Sequence, residues 1–256
     1  MKVVILCGGA GTRLREQTEF IPKPLVRIGE RPILWHIMKI FAHYGFKDFI
    51  LCLGYKGDMI KQYFYEYKML NCDFTINLGT GDIVIADPPQ EDWNITLAQT
   101  GENAMTGARV KRIDKYIDGE LFMLTYGDGV GNVNIGELLE YHKSHGKIGT
   151  VTGVHPSSRF GELIIESERV VDFLEKPQLS RGLVNGGFFV FHRRLFDYLD
   201  DDDSCILEKR PLETLASDKE LGVYRHTGFW GCMDTQRDFE FLNNLWKQEA
   251  PPWKVW

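Results

Sequence analysis

Short apolar runs alternate with amphipathic segments through the first half of the chain, and this alternation restricts the fold more than any other feature. Val3–Cys7 and Asp48–Leu53 are short apolar runs of the kind found in fully buried strands. Between them, Pro32–Tyr44 places its apolar side chains along one helical face. Leu121–Thr125 is a third buried strand and Asn134–His145 another helix. The alternation predicts βαβ units, and hence an α/β fold with a Rossmann-like, mostly parallel sheet flanked by helices.

The remaining segments predict additions to this sheet within a single domain covering residues 1–256. Residues 73–100 hold several short extended runs and a turn-rich stretch, and we expect them to form a β-rich excursion from the sheet and a candidate subunit contact. Glu162–Ile165 and Arg169–Leu174 predict a hairpin, and residues 228–256 predict a C-terminal closing segment with a helix.

Composition excludes several classes of protein. There are 30 Lys and Arg residues against 36 Asp and Glu, a net charge of −6, which argues against nucleic-acid binding. The five cysteines never form CxxC pairs, so neither a zinc site nor a disulfide framework is expected. The first apolar stretch is too short for a signal peptide or a membrane span, which predicts a cytoplasmic protein without membrane contact.

A glycine-rich segment directly after the first predicted strand is the strongest sign of a ligand site. Its glycines allow a sharp turn and bring backbone amides against an anion, and Arg13 adds a cationic fork. The spacing matches neither a Rossmann GxGxxG fingerprint nor a P-loop. A turn without a ligand is the plainer alternative. The candidate nucleotide-binding residues of this segment are Leu6, Cys7, Gly8, Gly9, Ala10, Gly11, Thr12 and Arg13.

Three further residues could carry phosphate chemistry. Lys23 stands between two prolines, which stiffen its loop, although a loop lysine is usually only solvated. Asp128 lies between glycines after the third buried strand, where a simple turn residue is the alternative. Asp234 precedes the last predicted helix, and it could instead be the N-cap of that helix.

Ordered motifs along the chain resemble those of the sugar-1-phosphate nucleotidyltransferases, and within them the glucose-1-phosphate cytidylyltransferase branch. The general motifs are GGAGTRL, KPL, TYGDG, EKP, NGGFFV and GFWGCMDT. Those typical of the branch are PILWHIMKI (32–40), GYKG (54–57), WNITLAQTG (93–101), MTGARVKRI (105–113) and GFWGCMDTQRD (228–238). They extend from Leu6 to the C-terminal PPWKVW, so the resemblance covers essentially the whole chain.

The resemblance implies a GT-A-like nucleotidyltransferase fold with a C-terminal sugar-binding and closing region. It implies Mg²⁺-dependent transfer of CMP from CTP to glucose 1-phosphate, giving CDP-glucose and pyrophosphate for deoxysugar and surface-polysaccharide (O-antigen) synthesis. It also implies a homo-oligomer built partly from the β-rich excursion. The reaction joins two polyanions, so it needs fixed cations, a metal and in-line positioning more than a general base.

The family's site residues carry over onto matching positions. Arg13, Lys23 and Asp128 are the implied catalytic residues, and Asp128 with Asp234 would hold Mg²⁺. The nucleotide site would further include Lys23, Ala104, Thr106, Arg109 and Gly127, with Arg109 reaching a phosphate. The sugar phosphate would meet Glu175, Lys176, Asn185 and Gly186. Plainer alternatives are a solvated helix face for Arg109, an exposed strand end for Lys176 and a bare turn for Asn185.

Other activities remain as alternatives. The same reaction could use UTP, dTTP or another sugar 1-phosphate. A catalytically silent regulatory protein that binds nucleotide sugars is disfavoured by the presence of Arg13, Lys23, Asp128, Lys176 and Asp234 in one chain. A dehydrogenase is disfavoured by the glycine spacing. The two histidine pairs, His36 with His43 and His142 with His145, lack further ligands nearby and predict capping or surface roles.

Overall fold

A seven-stranded sheet lies at the centre of the molecule. The computed structural model describes residues 1–9, 11–87, 91–155, 162–166, 168–174 and 182–256. The strands of the central sheet, in chain order, are β1 (Lys2–Leu6), β2 (Asp48–Leu53), β3 (Asn94–Gln99), β4 (Leu121–Tyr126), β5 (Gly149–Val154), β6 (Val184–His192) and β7 (Leu221–His226). Their order across the sheet is β7-β5-β6-β4-β1-β2-β3.

The sheet is mostly parallel, as predicted. Strand β6 runs antiparallel to both of its neighbours, β5 and β4. The pairs β7–β5, β4–β1, β1–β2 and β2–β3 are all parallel. The predicted α/β class with helices on both faces is therefore confirmed.

Helices cover both faces of the sheet because successive side chains of each buried strand point to opposite sides. Val3 and Ile5 of β1 join one apolar cluster, and Val4 and Leu6 join the other. The longer helices are α1 (Ile33–His43), α2 (Gly57–Tyr65), α3 (Ile135–His145), α4 (Arg210–Ser217) and α5 (Gln236–Trp246). Shorter helices and 3₁₀ turns are Thr12–Leu14, Arg15–Thr18, Lys23–Leu25, Tyr67–Leu70, Thr106–Lys111, Asp114–Tyr116 and Arg193–Tyr198.

Four small two-stranded elements complete the described secondary structure. They are the pairs Arg27–Ile28 with Arg31–Pro32, Phe74–Ile76 with Ile83–Ile85, Gly129–Gly131 with Trp230–Cys232, and Glu162–Glu166 with Arg169–Leu174. The last of these is the predicted hairpin, and it is antiparallel. None of the described helices is both long enough and apolar enough to cross a bilayer.

The predicted β-rich excursion is smaller than expected. Phe74–Ile76 and Ile83–Ile85 form a separate hairpin, but Asn94–Gln99 is strand β3 and extends the central sheet in parallel with β2. The prediction that all of residues 73–100 leave the sheet is wrong for this strand. Its apolar residues explain the difference: Ala98 is buried, and Ile95 and Leu97 pack against the core on the other face.

The C-terminal tail is fixed to the body of the protein through Trp253. This side chain is fully buried and stacks on Phe229 and Trp246, with ring centroids 5.6 and 6.0 Å apart. Its indole nitrogen lies 3.4 Å from Nδ1 of the buried His36. Because Trp246 ends helix α5, these contacts hold the helix that follows Asp234 against the sheet.

The order of the strands places a crevice beside β1. From β1 the chain moves to β2 and β3 on one side, and then returns to β4 on the other side of β1. Parallel sheets bind ligands where the strand order reverses in this way, outside the carboxyl ends of the strands. The glycine-rich segment follows β1 and Asp128 follows β4, so both lie at this reversal.

Candidate functional site

A cavity of about 310 Å³ opens at the carboxyl ends of β1 and β4. Ten of the predicted site residues line it: Leu6, Cys7, Gly8, Gly9, Lys23, Ala104, Thr106, Arg109, Gly127 and Asp128. Pro24, Glu102, Asn103, Met105 and Tyr126 line it as well, and they were not predicted individually.

Lys23 connects the two predicted metal ligands. Its Nζ donates to Oδ2 of Asp128 at 2.6 Å and to Oδ1 of Asp234 at 2.5 Å. The lysine side chain is only 13% exposed. Burial favours its neutral form, but the charges of the two aspartates and their hydrogen bonds outweigh that effect and raise the pKa of Lys23. The amine is therefore held as an ammonium group at the mouth of the cavity.

The loop around Lys23 is rigid for the reason that the sequence indicated. Pro22 and Pro24 flank the lysine, and Lys23–Leu25 forms one 3₁₀ turn, closed by a hydrogen bond from the amide of Val26 to the carbonyl of Lys23. Pro24 also packs close to Gly127, where an added Cβ would lie 3.1 Å from its Cγ and 2.8 Å from the carbonyl oxygen of Leu6. A side chain at position 127 would therefore push the lysine loop away from the sheet.

A short strand pair brings Asp128 and Asp234 together. Gly129–Gly131 pairs antiparallel with Trp230–Cys232, in a register that places Gly129 opposite Cys232. The amide of Met233 then donates to the carbonyl of Asp128 at 2.8 Å. Both aspartates thus lie just beyond the same end of one ladder, although they are far apart in sequence.

Asp234 is not the N-cap of the last helix. The cap is Thr235, whose hydroxyl accepts from the amide of Asp238, while the Asp238 carboxylate accepts from the amide of Thr235 in a reciprocal capping box. The carboxylate of Asp234 instead meets Lys23 and Nη1 of Arg13, the latter at 3.1 Å. The capping alternative for Asp234 is therefore excluded.

Arg13 reaches the charged cluster of Lys23, Asp128 and Asp234 from the glycine-rich segment. Gly11 has φ near +63°, a conformation that favours glycine, and the 3₁₀ turn Thr12–Leu14 follows it. The Arg13 side chain is 74% exposed, so its ion pair with Asp234 is solvated and weak in the free protein. Gly11, Thr12 and Arg13 lie outside the cavity lining, and Arg13 is the member of this group that contacts the charged cluster.

Arg109 holds the walls of the cavity together. Its guanidinium is buried, and Nη1 donates to the carbonyls of Leu53 and Gly101 and to the hydroxyl of Thr100 at 2.6–3.0 Å. Nη2 donates to the carbonyls of Gly8 and Glu102, both at 3.1 Å. The solvated-face alternative is therefore wrong. A contact between Arg109 and a phosphate stays a prediction, and the observed bonds give the residue a role in shaping the pocket.

Two glycines make room for this arginine. A Cβ at position 8 would lie 2.1 Å from Cζ of Arg109, and one at Gly54 would lie 2.4 Å from Nη1. At Gly9, by contrast, an added Cβ would meet nothing within 4 Å. The first glycine of the segment thus serves packing against Arg109, whereas Gly9 leaves the backbone open toward the cavity.

The structure describes two of the four residues predicted to bind the sugar phosphate. Asn185 and Gly186 lie at the start of β6, next to Tyr126: the Asn185 amide nitrogen donates to the Tyr126 hydroxyl at 3.0 Å. The carbonyl of Gly186 accepts from the indole of Trp230 at 2.8 Å, which joins β6 to the segment before Asp234. Glu175, Lys176 and Ala10 lie outside the described residues.

The histidine pairs have structural surroundings. Nδ1 of His142 and Nε2 of His145 both lie 2.8 Å from the hydroxyl of Thr150, and the buried His36 contacts the carbonyl of Ile28. Burial lowers the pKa of His36 and of His142 to about 4, so both are neutral at pH 7. The predicted capping or surface role is wrong for His36 and His142, because both side chains are buried. Within the described ranges no group of three or more His, Cys, Asp or Glu side chains that could hold a metal ion occurs.

The paired aspartates suit a hard divalent cation. Their oxygens lie 2.5 and 2.6 Å from one nitrogen, so a small cation near that position could contact both. Mg²⁺ is typically held by one or two carboxylates, with phosphate oxygens and water completing its coordination. Two carboxylates beside this cavity therefore fit Mg²⁺ without a third protein ligand.

Comparison with known proteins agrees with this geometry. The sequence pattern of the nucleotidyl transferase family matches residues 2–224. The chain is 47% identical to a probable glucose-1-phosphate cytidylyltransferase of Bacillus subtilis and 46% identical to the glucose-1-phosphate cytidylyltransferase of Salmonella typhimurium, over 100% of both chains in each case.

A solved structure gives the same fold. The structure of a putative glucose-1-phosphate thymidylyltransferase from Bacillus anthracis, in complex with sucrose, superposes with a TM-score of 0.70 over 98% of this chain and 96% of the other. Its sequence identity of 15% makes it evidence for the fold alone. The match over residues 2–224, the full-length identities and the site geometry together place the chain in the nucleotidyl transferase family.

Proposed function

We propose that the protein transfers CMP from CTP to glucose 1-phosphate and releases pyrophosphate, forming CDP-glucose. The full-length similarity to glucose-1-phosphate cytidylyltransferases supports this reaction over others of the family. The observation that carries the chemistry is the Lys23 ammonium group, held between Asp128 and Asp234 at the mouth of a glycine-lined cavity. We further propose that the product serves deoxysugar and surface-polysaccharide synthesis in the cytoplasm.

The reaction needs little proton transfer. A phosphate monoester is already a nucleophile near neutral pH, so an oxygen of glucose 1-phosphate can attack the α-phosphate of CTP without a general base. The barrier is the approach of two polyanions and the charge on the leaving pyrophosphate. Residues that supply fixed positive charge and alignment are therefore the catalytic ones.

Lys23 and Arg13 are the cations that meet this need. In the free protein both contact Asp234, where the Lys23 ammonium group is largely buried and the Arg13 guanidinium stays exposed to solvent. A bound triphosphate offers stronger anionic acceptors to the same donors. We propose that both side chains turn toward the phosphates when CTP binds, with Lys23 on the transferred phosphate and Arg13 at the more open end.

Asp128 and Asp234 would hold the metal ion. Members of this family generally use a divalent metal, and we propose Mg²⁺ here. When bound, Mg²⁺ neutralises phosphate charge and aligns the triphosphate. The two carboxylates would hold the ion beyond the end of the short ladder Gly129–Gly131 with Trp230–Cys232, whose pairing brings them together.

The metal role predicts the behaviour of neutral variants. In Asp128→Asn and Asp234→Asn an amide replaces a charged ligand, so we expect each variant to need a higher Mg²⁺ concentration for half-maximal activity and to turn over more slowly. Pyrophosphate release measured against Mg²⁺ concentration tests this, and circular dichroism checks the fold.

Asp197→Asn is a matched control, because Asp197 is exposed on the turn Arg193–Tyr198, outside the cavity. The control should keep the Mg²⁺ dependence of the unmodified protein. Folded Asp128→Asn and Asp234→Asn proteins with that same dependence would contradict the metal assignment.

Selection of the base would rest on backbone groups at Leu6–Gly9 and Gly101–Gly107. Several of their amides are already used: those of Cys7, Met105 and Gly107 donate to other carbonyls. The carbonyls of Gly8 and Gly101 accept from Arg109, which fixes their positions and leaves each a second lone pair. Such a carbonyl could accept from the amino group of cytosine, and a remaining amide could donate to its ring nitrogen.

This arrangement predicts a preference for CTP. Uracil and thymine present a carbonyl and a donor at the two positions where cytosine has an amino group and an acceptor, so each mismatch leaves a buried polar group unsatisfied. At about 1–3 kcal/mol for such a group, we expect CTP to exceed UTP and dTTP by at least about tenfold in kcat/KM with glucose 1-phosphate.

Initial rates of pyrophosphate release with each triphosphate measure the preference. Comparable rates with all three, or a preference for UTP or dTTP, would contradict the assignment of the base and leave the nucleotidyl transfer intact. Absence of pyrophosphate release with every triphosphate would instead favour the silent regulatory protein.

The sugar-phosphate site is a proposal for four residues. Lys176 would meet the phosphate and Glu175 a sugar hydroxyl, although both lie outside the described residues. Asn185 would bind a hexose hydroxyl, supported by its position beside the cavity residue Tyr126. Gly186, whose carbonyl accepts from the indole of Trp230, would fix the backbone next to Asn185.

We also propose a homo-oligomer that uses the hairpin Phe74–Ile76 with Ile83–Ile85. Its surface is unusually apolar for exposed chain: Phe74, Ile76, Ile83 and Val84 are each more than 40% exposed, and Leu78 in its loop is 89% exposed. A contact between subunits would remove this surface from water. Sedimentation velocity at micromolar concentration should give an oligomer, and a clean monomer would contradict the proposal.

A further inference from the structure

Glu208 belongs to none of the motifs noted above, yet its carboxylate joins two residues of the cavity. Oε1 accepts from the hydroxyl of Tyr126 at 2.6 Å, and Oε2 accepts from the hydroxyl of Thr106 at 2.5 Å. Both distances are short, as expected for hydrogen bonds to an ionised acceptor. The carboxylate therefore connects the start of the short helix Thr106–Lys111 with the end of β4.

The connection continues to the predicted sugar site. The Tyr126 hydroxyl accepts from Nδ2 of Asn185 at 3.0 Å, and Oδ1 of Asn185 accepts from the amide of Gly187 at 2.9 Å. Gly187 has φ near +80°, and a Cβ there would lie 2.5 Å from the Tyr126 ring. The ring thus lies directly against the backbone of β6, which carries Asn185.

The donor and acceptor roles in this chain are fixed at both ends. An ionised carboxylate only accepts, so Tyr126 must donate to Glu208 and present a lone pair to Asn185. A backbone amide only donates, so Asn185 must turn Oδ1 toward Gly187 and Nδ2 toward Tyr126.

A glutamine could not replace this carboxylate. The Thr106 hydroxyl already accepts from the amide of Leu207 at 2.9 Å, and the Tyr126 hydroxyl already accepts from Asn185. Both hydroxyls therefore direct their single proton to position 208 and need an acceptor there. Glutamine offers an acceptor at one end and a donor at the other, so one of the two hydroxyls loses the acceptor for its proton and the observed hydrogen bond.

We propose that Glu208 is a positioning residue for sugar recognition: through Tyr126 it sets the orientation of the Asn185 amide, and through Thr106 it ties that amide to the nucleotide side of the cavity. This inference rests on the proposed function, in which Asn185 binds a hexose hydroxyl. After its two internal bonds, Asn185 keeps one N–H donor and one oxygen lone pair. A sugar hydroxyl both donates and accepts, so an amide held in this orientation can bind it through both groups.

Discrimination between sugars is the property that depends on this orientation. An Asn185 amide held rigid by its neighbours disfavours a substrate that lacks the matching hydroxyl, because the polar groups of the amide are then left unpaired. An amide free to rotate can find other partners, so the penalty falls. Loss of the Glu208 carboxylate should therefore make the enzyme less sensitive to removal of one particular hydroxyl.

The experiment compares glucose 1-phosphate with its 2-, 3-, 4- and 6-deoxy analogues at saturating CTP. Asn185→Ala first identifies the hydroxyl that Asn185 reads, as the position whose removal no longer lowers kcat/KM in that variant. For this analogue we expect a penalty of about tenfold or more in the unmodified enzyme. Glu208→Gln and Tyr126→Phe should each reduce the penalty at least about threefold, mainly by raising KM for glucose 1-phosphate.

Two controls separate positioning from general structure. Glu213→Gln removes a charge from an exposed position on α4 and should keep the unmodified profile across the analogues. In the double variant Glu208→Gln/Tyr126→Phe the two effects should be less than additive, because both act on the orientation of the same Asn185 amide. If Glu208 only stabilised the fold, Glu208→Gln would lower the melting temperature without changing the profile across the analogues.

The outcomes distinguish this inference from the proposed function. If the unmodified protein releases no pyrophosphate from CTP and glucose 1-phosphate, the proposed function itself fails. If it is active and Asn185→Ala leaves all four deoxy penalties unchanged, or if folded Glu208→Gln and Tyr126→Phe keep the unmodified profile, the positioning role is overturned. Should Glu208→Gln not fold, Tyr126→Phe decides alone, since it removes only one oxygen.

Discussion

The site depends on one ammonium group that is shared by two carboxylates. Lys23 comes from the loop after β1, Asp128 from the end of β4, and Asp234 from the segment before α5. None of these side chains could be held at this spacing alone, because two partly buried carboxylates repel each other and a buried amine favours its neutral form. Together they form a charged cluster beside the cavity, where we propose that phosphate and a metal ion replace these mutual contacts.

Each neighbouring feature keeps this cluster in place. The parallel pairing of β1 with β4 brings two loops to one edge, and the ladder Gly129–Gly131 with Trp230–Cys232 brings Asp234 to the same edge. Arg109, buried among backbone carbonyls, fixes the wall that faces the cluster. The proposed chemistry of nucleotidyl transfer thus depends on an ammonium group and two carboxylates that are held at fixed positions at one edge of the sheet.

The sequence predicted strands that match β1, β2 and β4, helices that match α1, α3 and α5, and the charged residues that the structure brings together, because periodicity and flanking glycines are local signals. It assigned β3 to the excursion, since an edge strand with one half-buried face resembles a hairpin strand until its partner is known. It missed Glu208 and the internal role of Arg109 for a related reason. Their partners are backbone carbonyls and hydroxyls distant in sequence, and a single charged residue gives no pattern that identifies such partners.

A double-mutant cycle on the free energy of unfolding tests the shared ammonium group most directly. Lys23→Met, Asp234→Asn and the double variant are unfolded in denaturant without ligand, and the coupling is the difference between the double variant and the sum of the single ones. If Lys23 bridges the carboxylates, the double variant should be less destabilised than that sum by about 1–3 kcal/mol. Additive effects, within about 0.3 kcal/mol, would show that the two side chains do not interact and would contradict the account.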